Sequence, residues 1–129
     1  MIPSAHEPRE LLPCPSSRNC ARDTQNGPAN RRPVAFNIPL ADVTNVMIAV
    51  LLELPRTRIV YAGERYLRAE SRSLMLGFVD DVELLAEPST RLIHFRSAAR
   101  RGRLDFGVNR RRLDRLAAAI RRRLGHDGP

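Results

Sequence analysis

The sequence contains neither lysine nor tryptophan, and it has only two cysteines, two tyrosines and four phenylalanines in 129 residues. The shortage of aromatic side chains leaves few platforms on which nucleic-acid bases could stack. No apolar run approaches the ~18 residues that cross a bilayer, which excludes a membrane-embedded protein. The length allows one compact domain and excludes a multidomain enzyme, and a hydrophobic content of 43% excludes a wholly disordered chain.

Positive charge is abundant but local. All 22 basic residues are arginine, and against 14 acidic residues they give a net charge of +8. Residues 91–123 hold 12 of these arginines and 2 aspartates, so the rest of the chain is slightly acidic. This clustering predicts a surface that faces an anion.

Residues 1–32 are predicted to form an irregular arm, because prolines interrupt them and no apolar periodicity is sustained. No export signal is visible near the start, which predicts a cytoplasmic protein. Cys14 and Cys20 have no nearby histidine or second cysteine pair, so a zinc site fails on ligand count. Two free thiols are favoured; the alternative is a disulfide in an oxidising cell envelope, if the true start lies upstream.

Residues 33–125 are predicted to form a single domain, followed by a short tail at 126–129. The run PVAFNIPL has the alternation of a strand, and its prolines place it at a sheet edge. After this run, segments with apolar residues at helical spacing and segments with the alternation of strands follow one another, separated by short breaks. The predicted helices span 40–54 and 108–124, and the predicted strands span 57–63, 66–73, 77–86 and 91–99. The order β-α-β-β-β-β-α predicts an α+β fold: a single antiparallel sheet of four to five strands with two helices packed on one face.

Alternation within the strands sorts the polar residues between the two faces of this sheet. Asp80 is expected on the apolar side with Phe78, Val82 and Leu84, where a carboxylate must meet an arginine or helix amides. That position suits structural pairing and a functional site equally. The residues expected on the opposite, open face are Arg68, Glu70, Arg72, Asp81, Glu83, His94 and Arg96. They form either solubilising cross-strand ion pairs or a polar binding face in which Arg96 clamps a ligand.

The runs YLRAESRS, GFVDDVEL and RSAARRGRLDFGVNRRR resemble the bacterial and plastid family catalogued as domain of unknown function 1499. The resemblance extends roughly from Leu12 to Leu124. The positions that match the family's motifs are Asp80, Asp81, Glu83, Arg96, Ser97, Arg100, Gly102, Asp105, Gly107, Asn109, Arg110 and Arg112. Many members look exported or membrane-tethered, and their Cys-Pro…Asn-Cys pattern matches Cys14, Pro15, Asn19 and Cys20. The resemblance implies no established activity.

The last motif also has a direct physical interpretation. Asp105 is expected to cap the final helix, while Gly102 and Gly107 permit a tight link. The arginines at 110–112 lie at the positive end of the helix dipole and need a compensating anion. Internal carboxylates (Asp80, Asp81 or Asp105) are favoured, and an external phosphate or acidic partner is the alternative.

No pattern indicates an enzyme, a cofactor or a metal site; Asp81 and Glu83 among arginines make a poor cation site. We therefore expect a small non-catalytic binding or accessory domain, whose Arg-rich strand-to-helix junction recognises an anionic ligand or an acidic protein surface. The predicted ligand-binding residues are Asp80, Asp81, Glu83, Arg96, Arg100, Asp105, Asn109, Arg110 and Arg112. The alternatives are a nucleic-acid-binding protein and a hydrolase or lyase that uses Asp80 and His94.

Overall fold

The computed structural model describes residues 7–16, 18–73, 77–101 and 105–126. These residues form two helices and six strands, with a short 3₁₀ helix at Ala29–Arg31. The strands are β1 (Cys20–Arg22), β2 (Val34–Ala35), β3 (Thr57–Ala62), β4 (Tyr66–Arg72), β5 (Val79–Glu87) and β6 (Leu92–Ala99). The helices are α1 (Leu40–Glu53) and α2 (Val108–Arg123).

All six strands belong to one antiparallel sheet in the order β1-β6-β5-β4-β3, and β2 pairs with the same side of β6 as β1. The predicted α+β class with a single antiparallel sheet is confirmed. The extra strand is β1, which lies in the segment predicted to be irregular. Its three residues, Cys-Ala-Arg, are too short to show an alternating pattern, and β6 supplies their hydrogen-bond partners.

The long elements begin and end close to their predicted bounds. Proline explains the clearest boundary, because Pro55 cannot continue α1 and the helix ends at Glu53. The first predicted strand is shorter than expected and is confined to β2, at the sheet edge as predicted. Residues 74–76 of the break predicted at 74–77 lie outside the described residues, as do Gly102 and tail residues 127–129.

The core lies between the sheet and both helices, which cover the same sheet face. Each helix contributes a buried stripe: Val43, Met47, Val50 and Leu51 from α1, and Leu113, Leu116, Ala117 and Ile120 from α2. Val82, Leu84 and Phe95 from the sheet are fully buried against them. Phe78 was expected on this side, but it precedes β5 and is 39% exposed. Neither helix in the described part of the chain is long and apolar enough to cross a membrane.

The opposite sheet face is partly covered by the N-terminal segment. Leu11 is buried against Tyr66 and Leu85, and the Arg22 guanidinium donates to the Leu11 carbonyl at 2.7 Å. A disulfide between Cys14 and Cys20 joins this segment to β1. The expectation of two free thiols is therefore wrong: pairing of Cys20 with β6 holds its side chain close to Cys14. The sheet face predicted to be exposed to solvent is therefore covered at the position of Leu11.

Candidate anion-binding site

The structure distributes the nine predicted ligand-binding residues over three places. Four lie on the sheet face away from the helices: Asp81, Glu83, Arg96 and Arg100. Four others form a network near the N-terminal end of α2: Asp80, Asp105, Asn109 and Arg112. Arg110 lies apart from both groups and lines a cleft beside β1. The nine residues therefore do not form one site.

On the sheet face, the charged side chains pair with one another. Arg100 donates to Asp81 at 2.7 Å and to Glu70 at 2.6 Å, and its hydrogen bond lowers the pKa of Glu70. Arg96 donates to Glu83 at 3.2 Å, and the same carboxylate accepts the Tyr66 hydroxyl. Burial and this hydrogen bond raise the pKa of Tyr66. These contacts favour the interpretation of cross-strand ion pairs rather than a ligand clamp.

His94 lies on this face and is held by Asp23. Its Nδ1 is 2.8 Å from Oδ2 of Asp23, while Oδ1 of Asp23 accepts the Phe95 main-chain N–H at 3.0 Å. Asp80 lies on the other face of the sheet, toward the helices, with 1% of its surface exposed. The hypothesis of a joint Asp80–His94 hydrolase or lyase site is therefore wrong, because the sheet separates the two side chains.

Replacing His94 with glutamine is expected to remove a pH-dependent part of the stability. The hydrogen bond with Asp23 raises the pKa of His94 in the folded protein. Burial acts in the opposite direction and is the weaker of the two effects. A raised folded pKa stabilises the fold fully below the unfolded pKa, and that stabilisation disappears as pH rises through the folded pKa. Urea unfolding between about pH 5.5 and about pH 9 should show the wild-type advantage shrinking with rising pH. An advantage that is constant with pH would contradict this expectation.

The network near α2 is centred on Arg112. Its Nη1 donates to Asp80 at 2.9 Å, to Asn109 Oδ1 at 2.9 Å and to Ser97 Oγ at 3.2 Å. Ser97 in turn donates to the Asn109 side chain. Asp80 thus meets an arginine, as its position on the apolar side requires, and Arg112 finds an internal carboxylate near the positive end of the helix.

Asp105 joins the start of α2 to this network. Its carboxylate accepts the main-chain N–H groups of Gly107 at 2.8 Å and Asn109 at 3.2 Å, and it accepts the Asn109 side-chain amide at 2.6 Å. Gly107 has φ of 81°, a left-handed conformation that glycine adopts without strain. The Asn109 amide also donates to the Asn19 carbonyl, just before β1. The network therefore positions the N-terminal end of α2 beside β1.

A cleft of about 670 Å³ lies between the β1 region and this end of α2. Among the described residues, four arginines line it together with the disulfide: Arg18, Arg22, Arg31 and Arg110. Apolar surface is contributed by Ala21 and Pro28. Asp105 is the acidic residue among the described residues that line the cleft, but both its oxygens accept hydrogen bonds from the start of α2. The cleft is therefore strongly basic.

The four guanidinium groups are not equivalent. Arg31 makes two hydrogen bonds to Asp114, at 3.1 and 3.3 Å, and Arg22 is held by the carbonyls of Leu11 and Leu12. Arg18 and Arg110 are exposed, and neither contacts a carboxylate within the described ranges. Two arginines are thus fixed in the cleft wall, and two remain able to bind an external anion.

Sequence reasoning identified Arg110 and missed the other three arginines of the cleft. Arg18, Arg22 and Arg31 belong to the Pro-rich segment, about 80–90 positions away from Arg110 along the chain. A local sequence pattern cannot predict a contact between residues that lie so far apart along the chain. The one clue was the cysteine pair, since the alternative of a disulfide would have indicated an ordered segment.

Together the fold and the cleft define a small α+β domain with a basic, disulfide-bordered groove. The family model described as "Protein of unknown function (DUF1499)" matches residues 10–120, and the chain belongs to that family. The resemblance of the motifs is thereby confirmed. No curated protein matches the chain. Within the residues that the structure describes, no group of three or more His, Cys, Asp or Glu side chains could hold a metal ion.

Proposed function

We propose that this protein is a non-catalytic binding domain that takes an organic anion in the cleft between β1 and α2. The observation that carries the proposal is the pair Arg18 and Arg110, exposed at a basic cleft without a carboxylate partner in the described part of the chain. Guanidinium groups bind carboxylates and phosphates through two parallel hydrogen bonds, so two of them at one cleft suit a carboxylate or a phosphate ester.

The helix adds to the attraction for an anion. Gly107, the N-cap of α2, lines the cleft, and Arg110 lies in the first turn. The positive end of the helix dipole favours an anion and disfavours a cation by about 0.3–1 kcal/mol. Arg112 is compensated by Asp80, whereas Arg110 has no such partner among the described residues. An anion in the cleft would supply that compensation.

The shape of the cleft favours an anion with an apolar body. Its volume exceeds what a phosphate group alone would fill, and Ala21, Pro28 and the disulfide contribute apolar wall. A ligand that buries an apolar part gains roughly 25 cal/mol per Å² in addition to its ionic contacts. An acidic side chain of a partner protein would present the same chemistry.

Isothermal titration with phenyl phosphate and with inorganic phosphate tests this proposal. Phenyl phosphate is expected to bind more tightly, and Arg110→Gln or Arg18→Gln is expected to weaken it about tenfold, the usual effect of losing a charged hydrogen bond. Arg122→Gln is the matched control, because it removes the same charge from the exposed C-terminal end of α2. Equal weakening by all three variants, or no binding of either phosphate, would contradict the proposal.

A short single-stranded RNA serves as a further titrant for the nucleic-acid alternative. Binding of RNA through general positive charge should fall steeply with salt and respond equally to the loss of Arg110 and Arg122. The proposal expects phenyl phosphate to discriminate between these two arginines. RNA binding tighter than phenyl phosphate, with no such discrimination, would favour the alternative function.

The disulfide supports a location in an oxidising compartment such as the cell envelope. Structural disulfides persist there and are rare in the cytosol. Cys14 and Cys20 both line the cleft, so their bond contributes to the proposed binding site itself.

A further inference from the structure

Phe106 is the most exposed large apolar residue that the structure describes, with 79% of its surface accessible. Its backbone has φ of 53°, in the left-handed region that bulky residues rarely adopt. The hydrogen bonds of this turn come from the Asp105 carboxylate and main-chain groups, so the aromatic ring contributes to none of them. The fold therefore makes no use of a ring that costs backbone strain and apolar exposure.

A shallow groove of about 180 Å³ adjoins this turn on a different face of α2 from the anion cleft. It is lined by Leu54 and the partly exposed Val108, and by the arginines Arg56, Arg111, Arg112 and Arg115. Arg111 folds back to donate to the Phe106 main-chain carbonyl at 3.1 Å, which places its charge at this turn.

The described residues that line this groove include arginines but no acidic residue. Arg56, Arg111 and Arg115 contact no carboxylate in the described ranges. The acidic residues nearest in sequence pair elsewhere or are buried, since Glu53 binds Arg123, Asp114 binds Arg31 and Asp105 is buried. The apolar tip is therefore flanked by unneutralised cations.

We propose that Phe106 and Val108, together with Arg56, Arg111 and Arg115, form a surface that binds the face of an anionic lipid bilayer. A protruding ring needs no complementary pocket in a fluid interface, whereas a protein partner would have to supply one over a much larger contact area. Arg56, Arg111 and Arg115 line the groove that adjoins the turn, where they would meet lipid phosphates, and each basic residue near an anionic membrane adds to binding. This surface uses none of the four cleft arginines, so it stands independently of the proposed ligand.

Flotation with vesicles tests the apolar part. The protein is expected to bind vesicles of phosphatidylcholine mixed with phosphatidylglycerol and to bind pure phosphatidylcholine much more weakly. Phe106→Asn should reduce partition about tenfold, because the inserted ring is lost. The same variant should keep or raise the melting temperature, since asparagine accepts a left-handed backbone. Leu12→Asn, at an equally exposed apolar residue on the N-terminal segment, is the matched control and should bind normally.

The double variant Arg111→Gln/Arg115→Gln tests the cationic part. It should lose about tenfold in partition to the anionic vesicles, whereas Arg9→Gln/Arg122→Gln, with the same net charge, should lose much less. Failure to float with anionic vesicles would overturn the proposal. So would equal losses for Phe106→Asn and Leu12→Asn, or a single-stranded RNA that displaces the vesicles and depends on Phe106. Arg110→Gln should leave vesicle binding unchanged, which separates this surface from the anion cleft.

Discussion

Replacing Arg112 with methionine is expected to lower the free energy of unfolding by about 2 kcal/mol, the usual cost of losing hydrogen bonds to charged and buried groups. The Nη1 of Arg112 donates to the buried carboxylate of Asp80 and also to Asn109 and Ser97. Methionine fills a similar volume but donates no hydrogen bond. The variant therefore removes one donor from a carboxylate with 1% exposure, and the same donor from Asn109 and Ser97. Urea unfolding measures the effect.

Two further variants separate this cause from a general effect of losing an arginine. Arg111→Met, at the adjacent exposed position of α2, should change stability by no more than about 0.5 kcal/mol. Asp80→Asn combined with Arg112→Met should destabilise the protein by less than the sum of the two single changes, because both remove the same contact. An Arg112→Met variant as stable as Arg111→Met would show that the network contributes little.

Replacing both cysteines with serine is expected to destabilise the protein by about 2 kcal/mol, the size that the chain-entropy model gives for so short a loop. Cys14 and Cys20 are six positions apart, and their bond ties the N-terminal segment to β1. Thermal unfolding of the double variant, of the oxidised protein and of the reduced protein provides the measurement. The double variant should unfold at the same temperature as the reduced protein and below the oxidised one.

The effect should extend to contacts that the disulfide holds in place. Leu11 covers Tyr66 and Leu85, and Arg22 binds the Leu11 carbonyl. Without the bond this segment should exchange its main-chain amide hydrogens faster, whereas the amides of β4 and β5 in the sheet centre should remain protected. Uniformly faster exchange across the sheet would instead indicate global loosening, and no change in either region would contradict the expected role.

The family motif and the proposed binding site involve largely different residues. Asp80, Ser97, Asp105, Asn109 and Arg112 hold β5, β6 and the start of α2 together through hydrogen bonds. Three of the four arginines that line the cleft come instead from the N-terminal segment. We infer that the motif identifies the scaffold of the family, and that the proposed anion would be bound mainly by arginines outside the motif.

The faces of the strands were predictable because alternation is a local property of an extended chain. It places Asp80 toward the helices and Glu83, His94 and Arg96 away from them, as the structure shows. The helices were predictable for the same reason, since their apolar stripes repeat over several turns. Internal pairing of Arg112 followed from the cost of a cation near the positive end of a helix.

The amino-acid sequence by itself therefore predicted the α+β class, the long helices and strands, the family, and the concentration of arginine near α2. Folding in three dimensions added the strand at Cys20–Arg22, the disulfide, the segment lying over Tyr66, and the meeting of Arg18 with Arg110. Hydrophobic periodicity relates residues only a few positions apart, so it can be detected in a single sequence. The proximity of Arg18 and Arg110, some 90 positions apart along the chain, depends on the pairing of β1 with β6 and on the packing of α2 beside β1. No local sequence pattern predicts such proximity.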